Sequence, residues 1–197
     1  DATIENGKFT MPAQDVVITA TTTINSYPYT VNYVNEAGNA VAPSETVPNR
    51  NFGETVIENA IPVNGYVLDD AATKSLTIST NVAGNVITFV YSADTMVDPT
   101  VPEGDRPTTG GDGIPDKYQA TVTFNVVNGT WTGGETSQSI VVTLMKDGVP
   151  AVDGTYQIPS DRVPDGTPNA GYLNTGAWRD GRNPANAIIN GDTTFTF

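Results

Sequence analysis

The sequence predicts a mostly β chain, with little helix, built as two small modules joined by a proline- and glycine-rich linker. Three observations lead there. Apolar side chains alternate with polar ones in short runs, as at Tyr29, Val31 and Tyr33 and again at Val122, Phe124 and Val126, the period of a strand with one buried face. The 197 residues include 19 Gly and 14 Pro, and Thr, Val and Asn are abundant, which suits short strands separated by many turns. Between residues 95 and 115 apolar residues nearly vanish, while Pro99, Pro102, Pro107 and Pro115 stand among four glycines, the composition of a linker.

Charge and residue usage exclude several functions. With 22 acids against 9 bases the formal net charge is −13, so a phosphate backbone is repelled and no nucleic-acid partner is expected. No cluster of Lys or Arg offers a polybasic patch to an anionic membrane, and no apolar stretch is long enough to span a bilayer. The chain has no His and no Cys, which removes thiol nucleophiles, imidazole bases and nearly all zinc chemistry. A secreted eukaryotic module of this size often carries disulfides, so their absence leans towards a bacterial exported protein or a cytosolic one. Residue 1 falls mid-pattern, and a piece of a longer chain is expected.

Residues 1–24 read as two strands around "MPAQD", with Phe9 and Met11 on one and Val16 and Ile18 on the other. An isolated hairpin is marginal in water, so it needs a neighbour. The phrase "GKFTMPAQDVVITATT" resembles the closing hairpin of the internalin-type B-repeats of bacterial surface proteins, and the segment is read as the end of a preceding repeat.

Residues 25–94 form the next module. Tyr29, Val31 and Tyr33 alternate, "NEAG" turns the chain, and Val41 resumes the pattern. The segment closes with "SLTIST", "NVAGN" and "VITFVY", read as a second hairpin with Leu76, Ile78, Ile87, Phe89 and Tyr91 inward. The order of "YTVNYVNEAGNAVAPSE", the pair Gly53 and Glu54, "NGYVLDD" and "ITFVYS" resembles the mucin-binding-protein (MucBP) repeat, a ubiquitin-like β-grasp module of Gram-positive surface proteins. Those motifs are strands, turns and a Gly-Tyr corner. The resemblance implies an adhesive or stalk role at the cell surface, with no catalytic residue.

After the linker at 95–115 the alternation returns in 116–197. Val122, Phe124 and Val126 share a face, as do Ile140, Val142 and Leu144, and an Asp-Gly turn follows at Asp147. A long irregular section precedes the final strand "DTTFTF", with Pro184 placed to open a short helical turn. "YQATVTFNVVNGTW", "IPSDRVPDGTPNAGY", "GAWRDGRNPANAI" and "GDTTFTF" resemble the Listeria–Bacteroides repeat family. That resemblance implies a second β-grasp-like core, anchored by Gly171, Tyr172 and Trp178.

Few residues invite chemistry. Asp112 and Asp116, in "GGDGIPDKY", are the candidates for a cation. Calcium needs six to eight oxygen ligands at regular loop positions, and glycine and isoleucine occupy the alternate positions here. The loop is therefore read as a seam first and a weak calcium site second, with no cofactor otherwise expected. Trp131, Tyr172 and Trp178 could form an aromatic platform for sugars, although large aromatics in small domains are more often core anchors. Asp69 with Asp70, and Asp161 with Asp165, are adjacent or near-adjacent acids, but a glycosidase pair needs a cleft that holds a sugar between two separated carboxyls, which small β modules with turn-borne acids rarely provide. Lys8, Lys74, Lys117 and Lys146 are the lysines available for an isopeptide cross-link, and solvated lysines are the default at such positions.

The sequence thus reads as a non-enzymatic fragment of a Gram-positive surface adhesin or stalk, extracellular and attached to the cell wall through regions outside it. A host glycan, mucin or extracellular-matrix protein is the expected partner. The alternative is an accessory carbohydrate-binding module of a secreted hydrolase.

Overall fold

The computed structural model describes residues 7, 8, 10, 13, 15–17, 19–107 and 110–197. The expected N-terminal hairpin rests on Phe9, Met11 and Ile18, which lie outside the described residues; those described between 13 and 25 belong to no strand.

The first module contains β1 (Ser26–Asn35), β2 (Ala40–Asn51), β3 (Thr55–Asn59), β4 (Tyr66–Leu68), β5 (Thr73–Thr77) and β6 (Val86–Ala93). Its main sheet has the order β2-β1-β6-β4. β1 runs antiparallel to β2 and parallel to β6, so the first and last strands sit side by side in the centre, the arrangement of a β-grasp. The alternation in β1 appears directly as burial: Tyr29, Val31 and Tyr33 are all inside, and Phe89 of β6 stacks on Tyr33 at 6.0 Å. "NEAG" forms the β1–β2 turn because the Asn35 carboxamide oxygen accepts from the Ala37 and Asn39 N–H groups and Gly38 supplies φ +81°. Pro43 and Pro48 fall in β2, an edge strand of this sheet, where a missing N–H costs no ladder bond.

The expected second hairpin does not form. β5 does not pair with β6; it pairs antiparallel with β3, Thr55 opposite Thr77, while β6 inserts between β1 and β4. The physical reason is the 3-10 turn Val82–Gly84 and the buried Asn85 behind it. The Asn85 side chain accepts from the Ser79 N–H at 3.0 Å and donates to the Ser79 and Pro28 carbonyls at 2.9 and 3.2 Å. Those bonds tie the segment that follows β5 to Pro28 in β1 and lead the chain away from β5 into β6. The inward positions hold: Ile78, Ile87, Phe89 and Tyr91 are buried, and Leu76 packs against them.

The second module carries β7 (Gln119–Asn125), β8 (Gly129–Trp131), β9 (Ser137–Thr143), β10 (Met145–Lys146), β11 (Val149–Pro150), β12 (Tyr156–Gln157), β13 (Gly166–Pro168), β14 (Ile188–Ile189) and β15 (Thr193–Thr196). β7 is central, antiparallel to β9 and parallel to β15. This repeats the relation of β1 to β2 and β6, so both modules place their last strand parallel to their first. Phe124 and Phe195 are register partners with rings 6.0 Å apart. Around them Val122, Val142, Leu144, Ile158 and Ile189 complete a separate core. Asp147 and Gly148 take φ +52° and +84° in the β10–β11 turn, the left-handed pair of a tight hairpin. Pro184 opens one turn, its carbonyl accepting from the Ala187 N–H at 2.9 Å. The described chain contains strands, turns and short 3-10 segments, with no α-helix, and no helix is long and apolar enough to cross a membrane.

Candidate functional site

Three carboxylates at the seam are buried: Asp94, Asp98 and Asp112 are at most 4% exposed. A buried carboxylate needs hydrogen-bond donors, and the seam supplies them from both sides. Asp98 Oδ1 accepts from the Thr100 N–H and hydroxyl, and its Oδ2 accepts from the Thr143 N–H and hydroxyl at 3.1 and 2.9 Å. Burial alone would raise its pKa, but these donors outweigh burial and hold it below the ordinary aspartate value. Asp112 Oδ2 accepts from the Asp98 N–H and from Gln119 Nε2, and its Oδ1 from the Ile114 N–H. Asp94 accepts from the Asp112 and Gly113 N–H groups. Its pKa is nevertheless raised, by burial first and then by the like charges of Asp112 and Asp116. Gly111 is required beside it, because a Cβ there would lie 2.1 Å from Asp94 Oδ1.

Asp116, the other candidate cation ligand, accepts instead from the Thr95 N–H and hydroxyl and the Met96 N–H. The oxygens of Asp112 and Asp116 thus face backbone and side-chain donors. Among the described residues no group of three or more acidic side chains could hold a metal ion.

Lys117 crosses from the second module to the first. Its ammonium donates to Asp69 at 2.6 Å and to Glu36, and the Ser92 hydroxyl lies 3.0 Å from Asp69. Burial works against the ammonium, but both carboxylates outweigh it and hold the lysine pKa above its usual value; Lys117 in turn lowers that of Asp69. An amide-forming step needs a neutral amine and a neutral carboxyl, so this geometry makes an ion pair. Asp70 pairs with Lys74, whose ammonium also reaches the Thr88 carbonyl at 2.6 Å. Asp69 and Asp70 therefore each serve a lysine, and Asp161 and Asp165 are exposed.

The segment 95–115 is consequently tied to its surroundings far more than its composition suggests. Glu36, Asp94 and Asp98 do not stand out in the sequence, because each looks like an ordinary turn or strand-end acid, and Asp69, weighed there only beside Asp70, pairs instead with Lys117. The one legible signal was the acid density on either side of the glycines.

The three aromatic candidates separate. Trp131 is 1% exposed and its indole N–H donates to the Phe124 carbonyl at 2.9 Å. Trp178 stacks on Trp131 at 5.9 Å and meets Phe195 and Phe197 edge-on. Tyr172 is 55% exposed. The three form no common platform: the Trp131 indole fills the core, as a large ring with one polar atom does when a carbonyl is near, Trp178 is partly buried against that core, and Tyr172 stands on a surface loop. The anchoring role that the repeat resemblance implied for Tyr172 is likewise not seen, and Trp178 alone packs inward.

Tyr172 borders a 210 Å³ cavity between the β8–β13 ribbon and the loop 169–177. In the first module a mostly apolar concavity of 270 Å³ lies beside Ile61, Tyr66 and Leu68.

Comparison with known proteins bears on the first module. Residues 28–92 match the family model described as the MucBP domain. Internalin J of Listeria monocytogenes serotype 4b (strain F2365) is 37% identical over 87 residues, covering 44% of this chain and 9% of that protein. Internalin J of Listeria monocytogenes serovar 1/2a (strain ATCC BAA-679 / EGD-e) is 35% identical over 97 residues, covering 49% of this chain and 11% of that protein. The chain therefore spans about a tenth of the length of these relatives.

Proposed function

We propose that this chain is a non-catalytic segment of a bacterial cell-surface protein that binds a host glycan, mucin or matrix protein. The observation that carries the reading is the coincidence of the MucBP match at 28–92 with a complete β-grasp sheet between β1 and β6. The similarity to Internalin J supports the same class. The candidate acids, which would have to work as catalysts in a chain without His or Cys, are engaged with lysines or backbone donors or stand exposed on turns. The readings of 1–24 as the end of a preceding repeat and of 116–197 as a second repeat belong to this proposal, as does attachment to the cell wall.

The function needs no cofactor. Calcium titration by calorimetry is expected to reveal no site tighter than about millimolar, the range of loosely built extracellular sites. The test of the function is an array of mucins, glycans and matrix proteins probed with the whole chain. Saturable binding to one class supports the proposal, and a blank array overturns it. A second reading, an accessory carbohydrate-binding module of a hydrolase, is favoured by the exposed Tyr172; binding confined to plant or microbial polysaccharides would select it.

A further inference from the structure

The loop 169–177 is pinned on both sides of the β8–β13 ribbon. The Asn169 N–H donates to the Asn128 carbonyl at 2.9 Å, and Asn174 Nδ2 donates to the Gly166 carbonyl at 3.1 Å. Within the loop, Asn174 Oδ1 accepts from the Gly176 N–H and the Tyr172 N–H bonds the Asn169 carbonyl. Gly166 lets the ribbon lie close to the core, since a Cβ there would stand 3.2 Å from both the Phe197 and Trp131 rings. The cavity is thus held open by backbone and amide bonds.

Its lining has a distinct chemistry. Phe197 and Val126 line an apolar part, Tyr172 and Leu173 stand exposed on the loop, and Asn128, Thr167 and Thr175 supply amide and hydroxyl groups. Asn128 is exposed at the cavity and takes φ +55°. Among the described residues no Asp, Glu, Lys or Arg lines the cavity, although 31 such residues occur in the chain, 22 acidic and 9 basic. A volume of 210 Å³ lies below the roughly 300–1,000 Å³ of pockets for drug-sized ligands, and matches one ring-sized group.

Resting on the glycan-binding reading, we propose that this cavity is a subsite for a single neutral sugar ring, outside the MucBP-matching region. The Tyr172 ring offers a face for the apolar C–H side of the sugar, and Asn128 and the threonines meet its hydroxyls. An anionic sugar finds no cation there to offset the loss of its hydration, and it approaches a chain of strongly negative charge.

The test is a titration of the isotopically labelled whole chain with the methyl glycosides of galactose, N-acetylgalactosamine and N-acetylglucosamine, followed by amide chemical shifts. N-acetylneuraminic acid serves as the anionic counterpart. Saturable shifts confined to residues 126–129 and 166–177 with at least one neutral sugar, weakened tenfold or more in Tyr172→Ala and smaller with N-acetylneuraminic acid, support the subsite. Asn128→Ala provides an independent variant away from the loop. No saturable shift in these residues, unchanged affinity in both variants, or equal binding of N-acetylneuraminic acid overturns it. A chain that binds a mucin on the array but fails here retains the general function and loses this site.

Discussion

Asp98 shows how a single side chain can join parts of the sequence that look independent. Four donors, from Thr100 and Thr143, converge on its two oxygens. An asparagine can satisfy only one pair of them and turns an NH₂ group toward the other. Asp98→Asn is therefore expected to destabilise the fold by about 2–4 kcal/mol, the cost of charged hydrogen bonds lost from a buried site, measured by urea denaturation at neutral pH. The pH dependence follows from the direction of the shift. Because the folded pKa of Asp98 is depressed, its contribution is complete above the unfolded value of about 4 and is lost as pH falls through the folded value. Asp94, with its pKa raised, acts with the opposite sign, losing stability as pH rises through its folded value. The acid limb of the stability curve should accordingly flatten in Asp98→Asn. The aromatic pair gives a second residue-scale contrast. Trp178→Ala should cost about 2–4 kcal/mol, since it empties a contact with Trp131, Phe195 and Phe197. Tyr172→Ala should change stability by no more than about 0.5 kcal/mol, as surface substitutions do. Equal losses in thermal unfolding would contradict these placements.

At the scale of elements, inward faces were legible and partners were not. The period of two in Tyr29, Val31 and Tyr33 or Val122, Phe124 and Val126 reports which side of a strand is buried, because a slip by one residue would expose the whole set. It carries no information on which strand lies alongside. β5 and β6 look like a hairpin, yet Asn85 sends them to different sheets, and nothing local in "NVAGN" distinguishes a turn from a change of layer. Both parallel pairings, β1 with β6 and β7 with β15, join strands far apart in the sequence. The bonds of the seam are not legible for a related reason: proline and glycine content signals missing regular structure, while Asp98 and Asp112 fix the backbone through side-chain oxygens that composition does not register. Residues 95–197 are expected to be more stable than residues 116–197, because the shorter piece loses the Asp98 bonds to Thr143 and the Asp112 bond to Gln119. The difference should be about 2–3 kcal/mol, or a melting temperature lower by about 10 °C or more for a domain of this size. Identical melting would mean that the seam adds nothing to the second module.

In the whole molecule, two cores with the same central arrangement are linked by a carboxylate-rich joint, and Lys117 reaches across it to Glu36 and Asp69. Such a body can hold two surfaces in a set relation: the MucBP-matching module and the uncharged cavity under Tyr172. On the proposed function the chain binds its target and leaves it chemically unchanged. Surface plasmon resonance of the whole chain over mucin-coated and bare chips tests it directly, followed by mass spectrometry of the exposed mucin for released sugars or peptides. A saturable, reversible response on mucin above the bare chip is expected, with the mucin intact. No response above the bare chip, or release of sugars or peptides that tracks the chain's concentration, would contradict it.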